Sequence, residues 1–154
     1  MNMSESTVSL REITEESVIE ICNLSDTLSA QQQKMVAPNA KSIAQAHFSD
    51  KAWFRAIYAD DTPVGFIMLY DDSEKQEYFL WRLMIAGPYQ KMGYGRRAIE
   101  LLLDYVRTRP GAQALLTSYV PIEGGPEMFY KSMGFVDTGE VDDGEVVTRL
   151  QLTP

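Results

Sequence analysis

Near the middle of the chain, an apolar strand pattern leads into a glycine-containing loop and then into a long amphipathic helix. The strand pattern covers residues 77–85, the loop residues 86–95 and the helical pattern residues 96–109. Apolar side chains recur in the helical segment at i, i+3, i+4 and i+7, which predicts one buried face. These side chains are Ile99, Leu102, Leu103 and Val106. The sequence therefore predicts a strand, a tight loop and a buried helix in succession.

The other strand patterns surround this unit. They cover residues 7–13, 52–59, 64–70, 114–120, 135–138 and 145–152. Residues 52–85 predict an antiparallel meander, and the last two segments predict a hairpin, because turn residues separate the strands in both places. We therefore expect an α/β fold with a mixed, mostly antiparallel central sheet flanked by helices, in a single domain over residues 1–154.

Three further helices are predicted. Thr14, followed by two glutamates, is predicted to cap the first. Its inner face carries Val18, Ile21, Cys22 and Leu24. The second covers residues 40–48, with Ile43, Ala44 and Phe48 facing inward, and the third covers residues 126–133. Residues 25–37 carry no clear pattern.

The charge balance opposes a nucleic-acid partner. Fourteen Lys and Arg stand against 22 Asp and Glu, so the net charge is −8 with the histidine neutral. A surface that neutralises phosphates needs the opposite sign. An acidic protein instead attracts cationic partners.

Composition indicates a cytoplasmic protein without a metal centre. The chain has one cysteine, Cys22, and one histidine, His47, which excludes an internal disulfide and, in practice, a zinc site. A single thiol fits a reducing compartment. Residues 1–10 are polar, and no apolar run approaches the ~18 residues of a membrane span, so we expect no membrane partner.

The loop before the central helix is suited to an anion. Backbone amides at the start of a helix have no partner within it and converge on one point, where a pyrophosphate fits. Gly93 and Gly95 supply backbone freedom and close approach. Lys91, Arg96 and Arg97 add positive charge in an otherwise acidic chain. Two glycines alone more often mark a plain turn.

Two familiar nucleotide-binding motifs do not match this loop. A dinucleotide-binding fold places Gly-x-Gly-x-x-Gly after its first strand, whereas here Ala98 takes the third position and the loop follows about the fourth strand. A nucleoside triphosphatase loop requires Gly-Lys-Ser/Thr, which the sequence lacks here. Both classes are therefore excluded.

Two motifs resemble those of the GNAT superfamily of acyl-CoA N-acyltransferases. Residues 90–95, Gln-Lys-Met-Gly-Tyr-Gly, match its Gln/Arg-x-x-Gly-x-Gly/Ala loop. Residues 129–135, Phe-Tyr-Lys-Ser-Met-Gly-Phe, resemble its Tyr-x-x-x-Gly-Phe signature, about 35 residues later as in that family. The order of strands and helices also resembles that fold from end to end. Residues 78–85 and 124–127 are most similar to the bacterial spermine/spermidine acetyltransferase branch.

The resemblance implies a site for acetyl-CoA and no metal. In that family, the loop amides hold the diphosphate, and the preceding strand pairs its backbone with the pantetheine arm. That strand is usually bulged and diverges from its neighbour. The implied cofactor-binding residues are Leu83, Met84, Ile85, Gln90, Lys91, Met92, Gly93, Tyr94, Gly95 and Arg96.

Tyr130 matches the family's tyrosine that protonates the departing thiolate. A phenol with a reference pKa near 10 stays protonated at neutral pH, and a positioned acid typically contributes ~10²- to 10⁴-fold in rate. Tyr94 and Tyr119 are competing tyrosines. The plain structural alternative is that Tyr130 packs beside Phe129 with its hydroxyl in solvent.

The proton acceptor is harder to predict. The acceptor amine must lose a proton before it attacks, and Glu77, at the start of the strand leading to the cofactor, is our candidate. Glu77 is alternatively a solvated strand-end carboxylate. The family's usual Asn upstream of the tyrosine is missing, since residues 124–126 are Gly-Gly-Pro. Arg82 either pairs with a carboxylate or contacts the cofactor or the acceptor.

We expect direct transfer to a small-molecule primary amine, and specifically to a polyamine, because the net negative charge attracts a linear polycation. Trp53, Tyr58, Trp81 and Tyr119 are candidates for cation–π contacts with it. The alternatives are a protein amino terminus, an amino acid, an aminoglycoside, or an acyl-CoA-binding module without turnover. The family often forms homodimers through its last strands, which here are residues 145–152.

Overall fold

One mixed sheet of seven strands organises the protein in the computed structural model, which describes residues 5–152. The strands in chain order are β1 (Val8–Arg11), β2 (Ala52–Ala59), β3 (Thr62–Asp72), β4 (Glu77–Ile85), β5 (Ala114–Tyr119), β6 (Val136–Asp142) and β7 (Glu145–Gln151). Across the sheet they are ordered β1-β2-β3-β4-β5-β7-β6, and every neighbouring pair is antiparallel except β4 and β5. The predicted fold class is confirmed.

The described residues also form five α-helices. They are α1 (Val18–Asn23), α2 (Ala30–Gln33), α3 (Asn39–His47), α4 (Tyr94–Arg107) and α5 (Glu127–Ser132). The segment without a sequence pattern, residues 25–37, contains α2 and most of a 3-10 turn at Leu24–Thr27. A helix of four residues is too short to show an apolar period, which is why no sequence pattern indicates it.

The central helix is confirmed, and its four predicted apolar residues are buried. It begins two residues earlier than predicted, at Tyr94, because Gly93 precedes it in the left-handed conformation with φ +88°. That conformation is strained for residues with a Cβ, so glycine at this position sets where the helix starts.

The predicted start of the first helix is wrong. Residues 14–17 form a turn instead, in which Ser17 N–H donates to Thr14 O at 3.1 Å and Thr14 N–H donates to Ser17 Oγ at 2.9 Å. The Thr14 side chain therefore caps no helix, and α1 starts only at Val18.

The predicted inner face of α3 is also partly wrong. Phe48 is 88% exposed, and Ala44 is exposed as well. Asn39 sets the rotation of α3 about its own axis, because its side chain is buried and donates from Nδ2 to Ile21 O at 2.8 Å. Ser42 is buried and Ala46 packs inward on the same side, so the inner face follows the spacing from Asn39.

Two cores lie on opposite faces of the sheet. The core under α4 and α5 includes Ile67, Leu69, Leu102 and Tyr130. The core under α1 and α3 includes Ile21, Phe66, Met68 and Met84. Alternate residues of β3 serve the two cores, which explains why this strand is continuously apolar.

The last strand, β7, has neighbours on both sides. It pairs with β5 over residues 146–151 and with β6 on its other edge. The free sheet edge at this end therefore belongs to β6, and most of residues 145–151 already have a strand on both sides. The homodimer itself stays a prediction.

Candidate active site

Strands β4 and β5 diverge and leave a slot between them. They pair at only two positions, Phe79 with Leu116 and Leu80 with Thr117. Beyond Leu80, β4 continues to residue 85 with β3 alone as its neighbour. One edge of this half-strand is therefore open, as expected for a strand that pairs with an extended ligand arm.

A bulge marks the point where the strands part. Met68 of β3 pairs with Arg82, whereas the next residue, Leu69, pairs with Leu80, so Trp81 is an extra residue. A bulge puts two consecutive side chains on one face. Accordingly, Trp81 packs in the core under α3, and Arg82 donates to Gln45 of α3 at 3.1 Å.

The open edge belongs to the backbones of Leu83 and Ile85. Ala86 N–H donates to Val64 O of the β3 side at 2.8 Å, and the groups of an antiparallel strand alternate in direction. Leu83 and Ile85 therefore direct their N–H and C=O groups into the slot, whereas Met84 directs its groups toward β3.

The loop that follows has unpaired amides at the start of α4. The amides of Lys91, Met92 and Gly93 donate to no acceptor between residues 5 and 152. No acidic side chain stands in the first turn of α4. Beside this loop lies a cavity of about 310 Å³, which Met92, Gly93, Tyr94 and Arg97 line together with residues 6–8. This arrangement fits an anionic group.

The three basic residues of the loop and the first turn of α4 differ in their contacts and conformation. Arg96 donates to Ser132 Oγ of α5 at 3.0 Å, which ties the start of α4 to the helix that carries Tyr130. Arg97 pairs with Glu100 at 3.3 Å on the exposed face. Lys91 has a positive φ of +64° in the loop.

The side chain of Gln90 links three parts of the slot. Its Nε2 donates to Ile85 O at 2.9 Å, at the end of β4. Its Oε1 accepts from Gln32 Nε2 of α2 at 3.0 Å. The motif glutamine therefore holds the strand end and α2 with its side chain and leaves the loop amides to a ligand.

Residues 25–33, which we call the strap, cross one side of the slot. Thr27 Oγ1 accepts from Gly87 N–H at 2.8 Å, and a Cβ at Gly87 would lie 2.3 Å from Thr27 O, so only glycine allows this approach. Further along, Gln31 donates to Glu123 O of the β5–α5 loop at 2.8 Å. The strap thus joins the two loops on either side of the slot.

Tyr130 lies where the two strands part. It is 7% exposed and packs with Phe129 and Phe135, with ring centroids 5.4 and 5.3 Å away. Burial raises the pKa of its phenol to about 12, and a hydrogen bond with Thr117 opposes that rise. Thr117 in turn donates to Leu80 O at 2.9 Å, the last paired residue of β4. The hydroxyl is therefore at the closed end of the slot and protonated at neutral pH.

The burial of Tyr130 predicts a loss of stability in alkali. The folded chain ionises this phenol at a pKa of about 12, whereas the unfolded chain does so near 10. Its contribution to stability is therefore fully present below pH 10 and is lost as the pH rises to about 12. We expect the free energy of unfolding, from urea titrations, to fall less steeply over this window in Tyr130→Phe than in the unsubstituted protein. Equal slopes would contradict the burial of an ionisable phenol.

The competing tyrosines have other surroundings. Tyr119 donates to the carboxylate of Asp137 at 3.1 Å, and burial raises the pKa of this phenol. Tyr94 is buried in the first turn of α4. Tyr119 is therefore engaged with a carboxylate, whereas Tyr130 adjoins the end of the β4–β5 pairing.

Glu77 is not brought to the slot. It is exposed at the first position of β4, across the turn from Asp72. Leu80 is three residues further along, about 10 Å at ~3.3 Å per residue, and the slot begins beyond it. The structure therefore separates Glu77 from Tyr130.

Three of the four aromatic rings predicted for cation–π contacts already carry an arginine of this chain, and the fourth, Tyr119, donates to Asp137 instead. Arg55 lies 4.4 Å from the Trp53 ring centroid, Arg11 lies 4.3 Å from that of Tyr58, and Arg82 lies 5.7 Å from that of Trp81. These interactions stabilise the fold, and they reduce the aromatic surface open to an amine.

Sequence reasoning missed two residues beside the slot, Ser118 and Glu145. Ser118 Oγ donates to Glu145 Oε1 at 2.9 Å. Burial lowers the pKa of Arg82, and the charge of Glu145 opposes that shift. The alternation of polar and apolar residues in β5 marks Ser118 as facing away from Tyr130, but no local signal connects it to a glutamate 27 residues later.

A family model described as "Acetyltransferase (GNAT) family" matches residues 16–135. The chain belongs to the GNAT acetyltransferase family. It is therefore an N-acetyltransferase that uses acetyl-CoA, as the two motifs predicted. No curated protein matches the chain by sequence.

Solved structures share this GNAT fold over nearly the whole chain. An acetyltransferase from Thermus thermophilus has a TM-score of 0.79 at 15% identity, covering 99% of this chain and 100% of that one. The ribosomal-protein-S18-alanine N-acetyltransferase from Escherichia coli has 0.73 at 15%, covering 96% of each chain. PaiA N-acetyltransferase from Thermoplasma acidophilum, in complex with coenzyme A, has 0.69 at 16%, covering 95% and 99%. Such identities show the fold alone, so the polyamine branch stays a prediction.

Two further observations concern the described part of this GNAT chain. Between residues 5 and 152, no three His, Cys, Asp or Glu side chains are placed to hold a metal ion. No helix in the same range is long and apolar enough to cross a membrane.

Proposed function

We propose that this acetyltransferase transfers the acetyl group of acetyl-CoA directly to a small primary amine, with Tyr130 as the general acid. The observation that carries the proposal is the burial of Tyr130 beside Thr117, where β4 and β5 part. No covalent enzyme intermediate is needed. The one cysteine, Cys22, lies in α1 on the other face of the sheet from α5.

Acetyl-CoA would lie along the open edge of β4. The amides of residues 90–96 would hold its diphosphate, and the unpaired donors at Lys91, Met92 and Gly93 support this assignment. Leu83 and Ile85 would pair with the pantetheine arm. Met84 supports them from the core under α3, and Tyr94, Gly95 and Arg96 complete the loop.

The acid has the protonation state that the reaction needs. As the amine nitrogen bonds to the carbonyl carbon, the C–S bond breaks and its electron pair goes to sulfur. A phenol with a pKa of about 12 holds its proton until a thiolate develops beside it. The acetylated amine and free coenzyme A then leave the slot.

For the acceptor we propose a polyamine such as spermine or spermidine. The net charge of −8 supports it, because a negative field raises the local concentration of a polycation. The carboxylate of Glu145, which is held by Ser118 beside the slot, adds to this support. The single-domain organisation, the homodimer and the cytoplasmic location stay predictions beside it.

An amine panel tests the function. Purified protein and acetyl-CoA are incubated with spermine, spermidine, an amino acid, an aminoglycoside and a peptide, while released thiol is measured. We expect the polyamines to react fastest. If another amine is acetylated and the polyamines are not, the proposed acceptor is refuted. If no amine in the panel raises thiol release above the rate in buffer alone, the proposed transfer is itself refuted.

The charge argument further predicts salt sensitivity. Raising the ionic strength from 0.01 to 0.15 M shortens the Debye length from about 30 to about 8 Å. We therefore expect kcat/KM for spermine to fall several-fold over this range, and that for a monoamine to fall less. An equal fall for both amines would contradict electrostatic attraction of the polycation.

A further inference from the structure

A carboxylate stands beside the slot, at the first residue of β7. Glu145 is half-buried, and its Oε1 accepts from Ser118 Oγ of β5 at 2.9 Å. Ser118 pairs with Val147, while its neighbours Thr117 and Tyr119 belong to the face of α5. Because side chains alternate along a strand, Ser118 and Glu145 lie on the face opposite Tyr130.

The same face carries Arg82 on the other side of the slot. Met68, the partner of Arg82, belongs to the core under α3, and Arg82 itself donates to Gln45 of that helix. The charge of Glu145 acts on both Arg82 and Tyr130. Glu145 is therefore within electrostatic reach of both sides of the slot.

Resting on the transfer reaction proposed above, we infer that Glu145 binds the acceptor's ammonium group and takes its proton. Ser118 holds the carboxylate in place through the hydrogen bond to Oε1. The amine then approaches the thioester from the face opposite the acid. Glu77, at the far end of β4, has no such position.

The protons balance in this scheme. The ammonium gives one proton to Glu145, and the free amine attacks the carbonyl carbon. Tyr130 gives its proton to the sulfur as the C–S bond breaks. As the amide forms, the nitrogen loses a second proton, and this proton returns to Tyr130 through solvent. Glu145 releases the first proton to solvent. The net products are the acetamide, the thiol of coenzyme A and one proton.

Glu145→Gln tests this role through the pH dependence of kcat/KM between pH 7 and 9.5. The charge of Glu145 acts on Arg82 of β4 and, through the sheet, on Tyr130 of α5; Asp142 of β6 is its partner across the turn, and β5 contributes the neutral Ser118. We expect kcat/KM to fall about a hundredfold at pH 7. The defect should shrink as the pH rises, because the variant must use amine that is already neutral in solution, and that fraction grows toward the amine pKa near 10.4.

Glu140→Gln is the matched control, since it removes the same charge from an exposed site of the same hairpin. It should keep nearly full activity, and both variants should bind coenzyme A as the unsubstituted protein does. A Glu145→Gln defect that stays constant with pH, or no defect, would overturn the role of Glu145 alone. Failure of the unsubstituted protein to acetylate any amine would overturn the proposed function together with it.

Discussion

Tyr130→Phe should lower kcat for thiol release about 10²- to 10⁴-fold, because the thiolate then leaves without a proton. Phenylalanine fills nearly the same volume in the cluster with Phe129 and Phe135, so the fold should persist. Stopped assays of thiol release with saturating acetyl-CoA and the best amine measure the effect. Calorimetry should give an unchanged affinity for coenzyme A.

Tyr119→Phe is the matched control for this experiment. It removes a hydroxyl from the same core, but one that donates to Asp137. We expect its kcat to remain close to that of the unsubstituted protein. A larger loss in Tyr119→Phe than in Tyr130→Phe would transfer the acid role to Tyr119. An acyl-CoA-binding module would instead show no turnover in any of the three proteins.

Leu102→Ala should reduce the free energy of unfolding by about 2 to 5 kcal/mol. Leu102 is fully buried in the core between α4 and the sheet, and truncation there leaves a cavity that neighbouring side chains fill only in part. Since native domains have about 5–15 kcal/mol in total, much of the stability would be lost. Urea titration at pH 7 provides the measurement.

Leu101→Ala makes the same chemical change one position along the helix, where the side chain is only partly buried. Its loss should be clearly smaller, because part of the side chain already contacts water. Similar losses at the two positions would contradict the orientation of α4 on the sheet.

Features carried by local spacing were predictable from the sequence. The apolar face of α4 repeats over several turns, so Ile99, Leu102, Leu103 and Val106 identify both the helix and the side that it buries. The loop of residues 90–95 and the later tyrosine motif are likewise contiguous, and they identified the family. Short helices were different, since tertiary bonds such as that of Asn39 to Ile21 O decided their orientation.

Features that depend on strand pairing were not predictable. Ser118 contacts Glu145 only because β7 inserts between β5 and β6, and the sequence of neither strand predicts that order. The same holds for Glu77, which belongs to the strand that leads to the cofactor loop but lies on the far side of the Leu80 pairing from the slot. The sequence of a single strand does not reveal which strand lies beside it or at which residue their pairing ends.

The extra residue in β4 bears on how this gene tolerates change. Losing the codon for Trp81 would join Leu80 directly to Arg82, whose partners Leu69 and Met68 are also consecutive, so β4 would pair with β3 in a regular register without the bulge. Both halves of β4 would keep their faces, but the strand would lose the bend that a bulge introduces at the point where β4 and β5 part. Natural variants should therefore replace Trp81 far more often than delete it.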